Sequence, residues 1–189
     1  MTRPNAGPET DPWRVPVIVA QISDTGVQRQ IEASSREREA MAKVAGVREV
    51  LSARASFDLS PKSGGRVHVT GNVRARIGQT CVVTLDPIES EIDEEIDLMF
   101  APEAEARRLA DLIAEGQDSD DADAAPEPPE AIIAGVIDLG RLATDALFLG
   151  IDPYARKPGA VFEAQVTVPD PEDHPFAALK ALQDKPERK

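Results

Sequence analysis

The chain has 189 residues, a net charge of −13 and one cysteine. A lone cysteine excludes an internal disulfide and, by itself, a cysteine-built zinc site. No apolar run approaches the roughly 20 residues that span a bilayer, and the start MTRPNAGPETDPW lacks the apolar stretch of a signal peptide, so the sequence predicts a soluble cytoplasmic protein with no membrane partner.

Residues 1–12 are rich in proline and polar groups and read as a flexible tail. WRVPVIVAQI (Trp13–Ile22) reads as a strand, and Pro16 points to a sheet edge because it cannot donate a ladder hydrogen bond. SDTG ends it. Ser34–Ala45 reads as a short helix, with a serine at its start and Gly46 just past its end. Its narrow apolar side (Ala40, Met41, Val44) suits the rim of a sheet. In Leu51–Leu59 the apolar Leu51, Ala53, Ala55, Phe57 and Leu59 alternate with polar residues, a period of two that means a half-buried strand.

SPKSGG (Ser60–Gly65) is a turn signal. Arg66–Ile77 then alternates again, with Val67, Val69, Val73, Ala75 and Ile77 on one face and Arg66, His68, Thr70, Asn72, Arg74 and Arg76 on the other. Gly71 and Gly78 suggest bulges or bends. The strand is expected to run on through Cys81, Val83 and Leu85 to a turn at Asp86-Pro87. Ile88–Phe100 returns, with Ile88, Ile92, Ile96, Leu98 and Phe100 on one side and Glu89, Glu91, Asp93, Glu95 and Asp97 on the other.

Pro102–Glu115 has helical character. Gly116–Glu130 is acidic and proline-rich, and reads as a disordered linker that cannot bury enough apolar surface to order itself. Ile132–Ile137 reads as a strand. Asp138 is the expected N-cap of a helix whose Leu139, Leu142, Ala146 and Leu149 share a face. A loop with Arg156 and Lys157 follows, then a short helix at His174–Gln183 and a tail at 184–189. The predicted fold class is α+β: an antiparallel meander, sheet or barrel-like, with short helices at its ends. Residues 13–183 form one domain interrupted by the linker at 116–130.

The acidic excess is local. Residues 87–130 hold 16 carboxylates against 2 arginines, a net −14. Such asymmetry fits a partner with a charge preference, or solubility alone. An acidic chain repels phosphate, so any RNA contact has to be local. The row Arg66, Arg74, Arg76 suits a phosphate backbone, yet no aromatic platform for bases stands among it. The acidic row on the next strand can instead neutralise it across the hairpin. Walker-type glycine loops, Gly-x-Ser-x-Gly and His-Glu-x-x-His are absent. The residues therefore predict no enzyme, no cofactor, no metal site and no small-molecule substrate. Cys81 reads as a small buried hydrophobe; a nucleophilic role would require an exposed thiol in a positive neighbourhood.

Taken together, VHVTGNVRARIGQTCVVTLDPIESEIDEEIDLMFAPE, the Ile137-Asp138-Leu139 start of a Leu-rich helix and the closing HPFAALKAL resemble the YceD family of large ribosomal RNA subunit accumulation proteins. The matching positions are Gly71, Cys81, Leu85, Pro87 and Phe100, then Ile137, Asp138, Leu139, Leu142, Leu147 and Leu149. Val83 and Thr84 stand where members often carry an arginine and sometimes a second cysteine. DPYARKPGAVFEA lacks the cysteine cluster of some relatives, so their metal site does not carry over; its form is similar to alphaproteobacterial members. The resemblance implies a non-enzymatic ribosome biogenesis role in synthesis, processing or accumulation of large-subunit rRNA. Two modes follow. One is contact with precursor large subunits or rRNA through Arg66, Arg74, Arg76, Arg156 and Lys157. The other is an acidic adaptor or chaperone for a basic ribosomal protein, using Glu89, Glu91, Asp93 and Glu95.

Overall fold

The computed structural model describes residues 11–116 and 128–162. In chain order they form β1 (Pro16–Ile18), a 3-10 turn (Val19–Gln21), β2 (Val27–Glu32), α1 (Ser35–Ala45), β3 (Glu49–Lys62), a second 3-10 turn (Ser63–Gly65), β4 (Arg66–Thr80), β5 (Pro87–Pro102), α2 (Glu103–Gly116), β6 (Glu130–Ile132), β7 (Val136–Asp138) and α3 (Leu139–Leu149). The fold is α+β. One sheet has the order β2-β3-β4-β5-β6, and β1 pairs with β7 in a separate two-stranded sheet. Neighbours in the large sheet are antiparallel except β5 and β6, which run parallel. The sheet is open, with β2 and β6 as its outer strands, so it is not a closed barrel.

The strict alternation of β3, β4 and β5 divides this sheet into two faces. Ala53, Ala55, Phe57, Leu59, Val67, Val69, Val73, Ala75, Ile77, Ile92, Ile96 and Phe100 are buried on the inner face. Helices α1 and α3 pack over this face and meet where the Thr144 hydroxyl lies 3.9 Å from Met41 Sδ. The charged rows project from the opposite face. This is the two-layer arrangement that one-sided apolar strands require.

The helix boundaries follow local chemistry. Ser34 and Glu37 form a reciprocal capping box at the start of α1, and Gly46 closes it with φ 67°. Asp138 caps α3 by accepting from the Gly140 and Arg141 amides, and it also accepts from Val15 N at 2.8 Å. One carboxylate thus starts a helix and holds the β1 segment. Asp138→Ala is expected to cost about 1–2 kcal/mol, read from urea unfolding, with Asn recovering most of it.

Several expectations need correction. Only Pro16–Ile18 of the Trp13–Ile22 stretch is strand, because the chain turns at Val19–Gln21. Strand β2 was not predicted; VQRQIE is a polar edge strand with little alternation. Register runs unbroken through Gly71 and Gly78, and the irregularity lies between Val50 and Ser52 of β3, so Val50 is buried and Leu51 half-buried. The strand carrying Arg66–Arg76 ends at Thr80. Residues 81–86 turn instead, because Cys81 N donates to Asp86 O (2.8 Å) and Leu85 N to Cys81 O (2.9 Å). Ile132–Ile137 is split between β6 and β7 by a turn at Ala134-Gly135. Helix α3 buries Leu139, Ala143, Thr144 and Leu147 and leaves Leu149 87% exposed, a face rotated from the expected one. On α1, Met41 and Ala42 are buried and Val44 is exposed. Gly116 belongs to α2 and Glu130 to β6, so both ends of the proposed linker are structured; its residues 117–127 lie outside the described residues, as do residues 1–10 of the first tail, the His174–Gln183 helix and the tail at 184–189.

Candidate partner-binding face

The outer face of the β4–β5 hairpin brings the two charged rows into register. Arg74 lies opposite Asp93 and Arg76 opposite Glu91. Arg74 Nε donates to Asp93 Oδ2 at 3.0 Å. Arg76 reaches diagonally and pairs with Glu89 rather than with Glu91. Asn72 donates its amide to Asp93, and His68 Nε2 meets Asp97 at 2.6 Å. The Asn72 amide, with the charge of Arg74 behind it, holds Asp93 below the usual carboxylate range. The Arg74 and Arg76 pairs are solvent-exposed, so water screens them and each adds little to stability. Their larger effect is on the surface field, because two cations of the row are already matched by carboxylates.

The remaining basic candidates do not join them. Arg66 stands at the far end of β4, where it pairs with Glu105 of α2 and lowers that carboxyl's pKa. Ten residues of extended chain separate it from Arg76, roughly 33 Å. Lys157 lies at the opposite end, pairing with Asp86 at 3.1 Å. Arg156 is exposed and makes no ion pair among the described residues. The basic candidates are therefore spread along the hairpin rather than gathered into one patch.

The acidic candidates are gathered. Glu89, Glu91, Asp93 and Glu95 sit at alternate positions of β5, all exposed. Asp93 and Glu89 are engaged by arginines, whereas Glu91 and Glu95 make no ion pair among the described residues. Glu91 is unpaired because Arg76 turns to Glu89, and Glu95 because its partner in register is Asn72. Alternation made the two rows visible in the sequence. The choice of Glu89 over Glu91 is a side-chain geometry that no periodicity contains.

Cys81 closes the other end of this hairpin. It is fully buried, and its sulphur accepts the backbone amides of Lys157 (3.3 Å) and Thr84 (3.4 Å). Val82 N also donates to Ala155 O at 3.1 Å, so the 152–157 loop is fastened over the thiol. Those donors, the Lys157 amide first, outweigh burial and lower the thiol to about 6. An ordinary cysteine titrates near 8.5, so between about 6 and about 8.5 the unfolded chain holds a proton that the folded chain lacks. Stability should rise with pH across that window and be lost as pH falls through the lower value. Urea midpoints at both ends of the window, for the parent chain and Cys81→Ala, will test this; parallel pH dependence would mean a protonated thiol. Because access rather than ionisation limits the sulphur, alkylation should be slow until the chain unfolds.

Among the described residues no three His, Cys, Asp or Glu side chains gather as metal ligands would, and no helix is long and apolar enough to cross a membrane. Residues 69–183, more than half of the chain, match the family model described as large ribosomal RNA subunit accumulation protein YceD. The chain belongs to the YceD family. The match starts inside β4 and takes in the hairpin turn, the acidic face of β5 and α3. No curated protein and no solved structure matches the chain. The family's description names accumulation of the large ribosomal RNA subunit, which links this YceD protein to that RNA in general terms.

Proposed function

We propose that this YceD-family protein is a non-enzymatic cytoplasmic factor that supports large-subunit rRNA accumulation by binding a basic protein of the assembling particle on the outer face of β5. One observation carries the reading: Arg74 and Arg76 are taken up by Asp93 and Glu89, while Glu91 and Glu95 stay exposed and unpaired among the described residues. The surface offered to a partner is thus net acidic. It repels phosphate and attracts the Lys/Arg-rich surfaces of RNA-binding proteins, steering their approach at low salt.

The test is a mild-salt pull-down of tagged protein from its own cells, with and without RNase, scoring RNA and protein. Glu91→Lys/Glu95→Lys is expected to lose a basic protein that the parent chain keeps after RNase. Arg74→Glu/Arg76→Glu should keep it. If RNase strips every protein partner and the arginine reversals abolish rRNA recovery, direct rRNA contact replaces this reading. That second mode is favoured by one group, Arg156, which is exposed and free of ion pairs among the described residues.

A further inference from the structure

Among the described residues, strand β5 has one side in use and the other largely free. It pairs with β4 along its length, from Pro87 opposite Thr80 to Phe100 opposite Val67. On its second side β6 takes only Phe100, Ala101 and Pro102. From Pro87 to Met99 no described strand pairs with that side, and no backbone hydrogen bond links it to any other described segment. Alternate residues of an antiparallel strand turn their backbone groups away from the paired neighbour, and those of this stretch meet no backbone partner among the described residues.

Exposed edges are normally blunted by a bulge, a proline, a short strand, a covering segment or charged side chains, lysine most often. Between Ile88 and Met99 this edge has no register shift, no lysine and no proline. What it has is a carboxylate at Glu89, Glu91, Asp93, Glu95 and Asp97 in turn. That row discriminates between occupants. A second copy of the chain would lay the same carboxylates alongside these, which is unfavourable, whereas a strand with basic side chains at alternate positions would find Glu91 and Glu95 unpaired among the described residues and would share the others with Arg74, Arg76 and His68.

We infer that the free edge of β5, from Ile88 to Met99, takes up an extended basic segment of a partner protein as an added strand, with every second side chain a lysine or arginine. This rests on the acidic-face reading above and specifies how that face is engaged. Main-chain hydrogen bonds supply affinity, and the side-chain row supplies selection. The other side-chain row of the incoming strand would fall beside Ile88, Ser90, Ile92, Glu94, Ile96 and Leu98. There Gly150 lies against Ile92 and Glu94, and Leu149 beside it in the chain is exposed. Small or apolar residues fit those positions. Where the free edge ends, His68, Asp97, Leu98, Met99, Pro128 and Glu130 line a hollow of about 200 Å³. Glu130, which unlike Asp97 has no ion-pair partner among the described residues, suits one further basic side chain there.

The experiment uses the full chain and a synthetic peptide of alternating lysine and threonine, twelve residues long. Amide hydrogen exchange is read along β5. The peptide is expected to protect alternate amides between 88 and 98. The same peptide N-methylated at every second residue keeps its charge but cannot pair along one side, and should bind about tenfold more weakly or worse, since several hydrogen bonds are lost. Glu91→Lys/Glu95→Lys should weaken the unmodified peptide. Equal binding of the two peptides would overturn the strand-addition inference and leave the acidic-face reading standing. Failure of either peptide to bind would overturn it as well. Amides already protected in the free monomer would overturn the inference, because the edge would then be filled within the chain itself. Protection that grows with protein concentration would mean that a second copy fills it.

Discussion

Replacing Trp13 with alanine is expected to destabilise the fold by about 3–5 kcal/mol, the range for emptying a large aromatic site in a packed core. For a chain of this size that corresponds to a fall in melting temperature of roughly 6–20 °C. Trp13 is the only tryptophan and is 1% exposed. It belongs to one buried cluster with Met41, Leu139, Ala143 and Leu147. The backbone around it is fastened to residues more than a hundred positions away. Leu139 N donates to Val15 O at 3.0 Å, Val19 N donates to Gly135 O at 2.9 Å, and β1 pairs with β7 between them. Gly140 packs so closely on Trp13 that an added Cβ would sit 2.6 Å from the Trp13 carbonyl oxygen.

The ring is therefore the anchor of a segment that ties the start of the domain to the start of α3. Loss of that anchor frees α3, which packs on β4 and β5. Thermal unfolding followed by circular dichroism gives the number, since the variant has no tryptophan fluorescence. Trp13→Phe should recover most of the loss. A cost below about 1 kcal/mol would mean that the ring is not packed in solution.

Much of this architecture is legible in the sequence where one physical signal dominates. Alternation in β3, β4 and β5 is strong because one face of each is buried and the other is solvated. Ser34, Gly46 and Asp138 mark helix ends because their side chains or backbone freedom satisfy end groups locally. The signal fails where tertiary contacts decide. Strand β2 forms because β3 offers it a partner, from Val27 opposite Leu59 to Glu32 opposite Arg54, although its own residues are mostly polar. Cys81, Val83 and Leu85 alternate like a strand, yet hydrogen bonds around Cys81 fold them into a turn that leaves Leu85 75% exposed. On α3, Leu147 and Leu149 are equally apolar, and the position of the sheet beneath picks Leu147.

The candidate face shows the same division. The residue types at Glu89, Glu91, Asp93 and Glu95, and their common direction, follow from a period of two. Which of them stay unpaired does not, because Arg76 is long enough to reach two different carboxylates. The free side of β5 was also hidden. It depends on β6 being three residues long and on its running parallel at one end of β5, a tertiary outcome that no local pattern in β5 encodes.

Gly71 carries the second large effect, and Gly71→Val is expected to cost about 3 kcal/mol, the upper part of the usual range for overpacking. In the sequence this glycine suggests a bulge, but register is continuous across it, with Phe57 of β3 on one side and Ile96 of β5 on the other. The reason for glycine is space. A Cβ there would lie 2.4 Å from the Ser56 carbonyl oxygen and 2.8 Å from Phe57 Cδ1. The first obstacle is backbone of the neighbouring strand, which cannot rotate away as a flexible side chain can. The second is a ring that is itself 1% exposed.

Strands β3 and β4 would have to separate at the middle of the sheet, or Phe57 would have to leave its site. Gly71→Ala should already lower the urea midpoint, and Gly71→Val should lower it further. Gly78 provides the contrast. There the obstacle is the Glu49 side chain, which can swing into solvent, so Gly78→Ala should cost clearly less than Gly71→Ala. Equal costs at the two positions would show that the close approach at Gly71 relaxes in solution. A selective loss at Gly71 would place the tightest constraint of the hairpin beside Asn72, the residue that holds Asp93 and leaves Glu95 free.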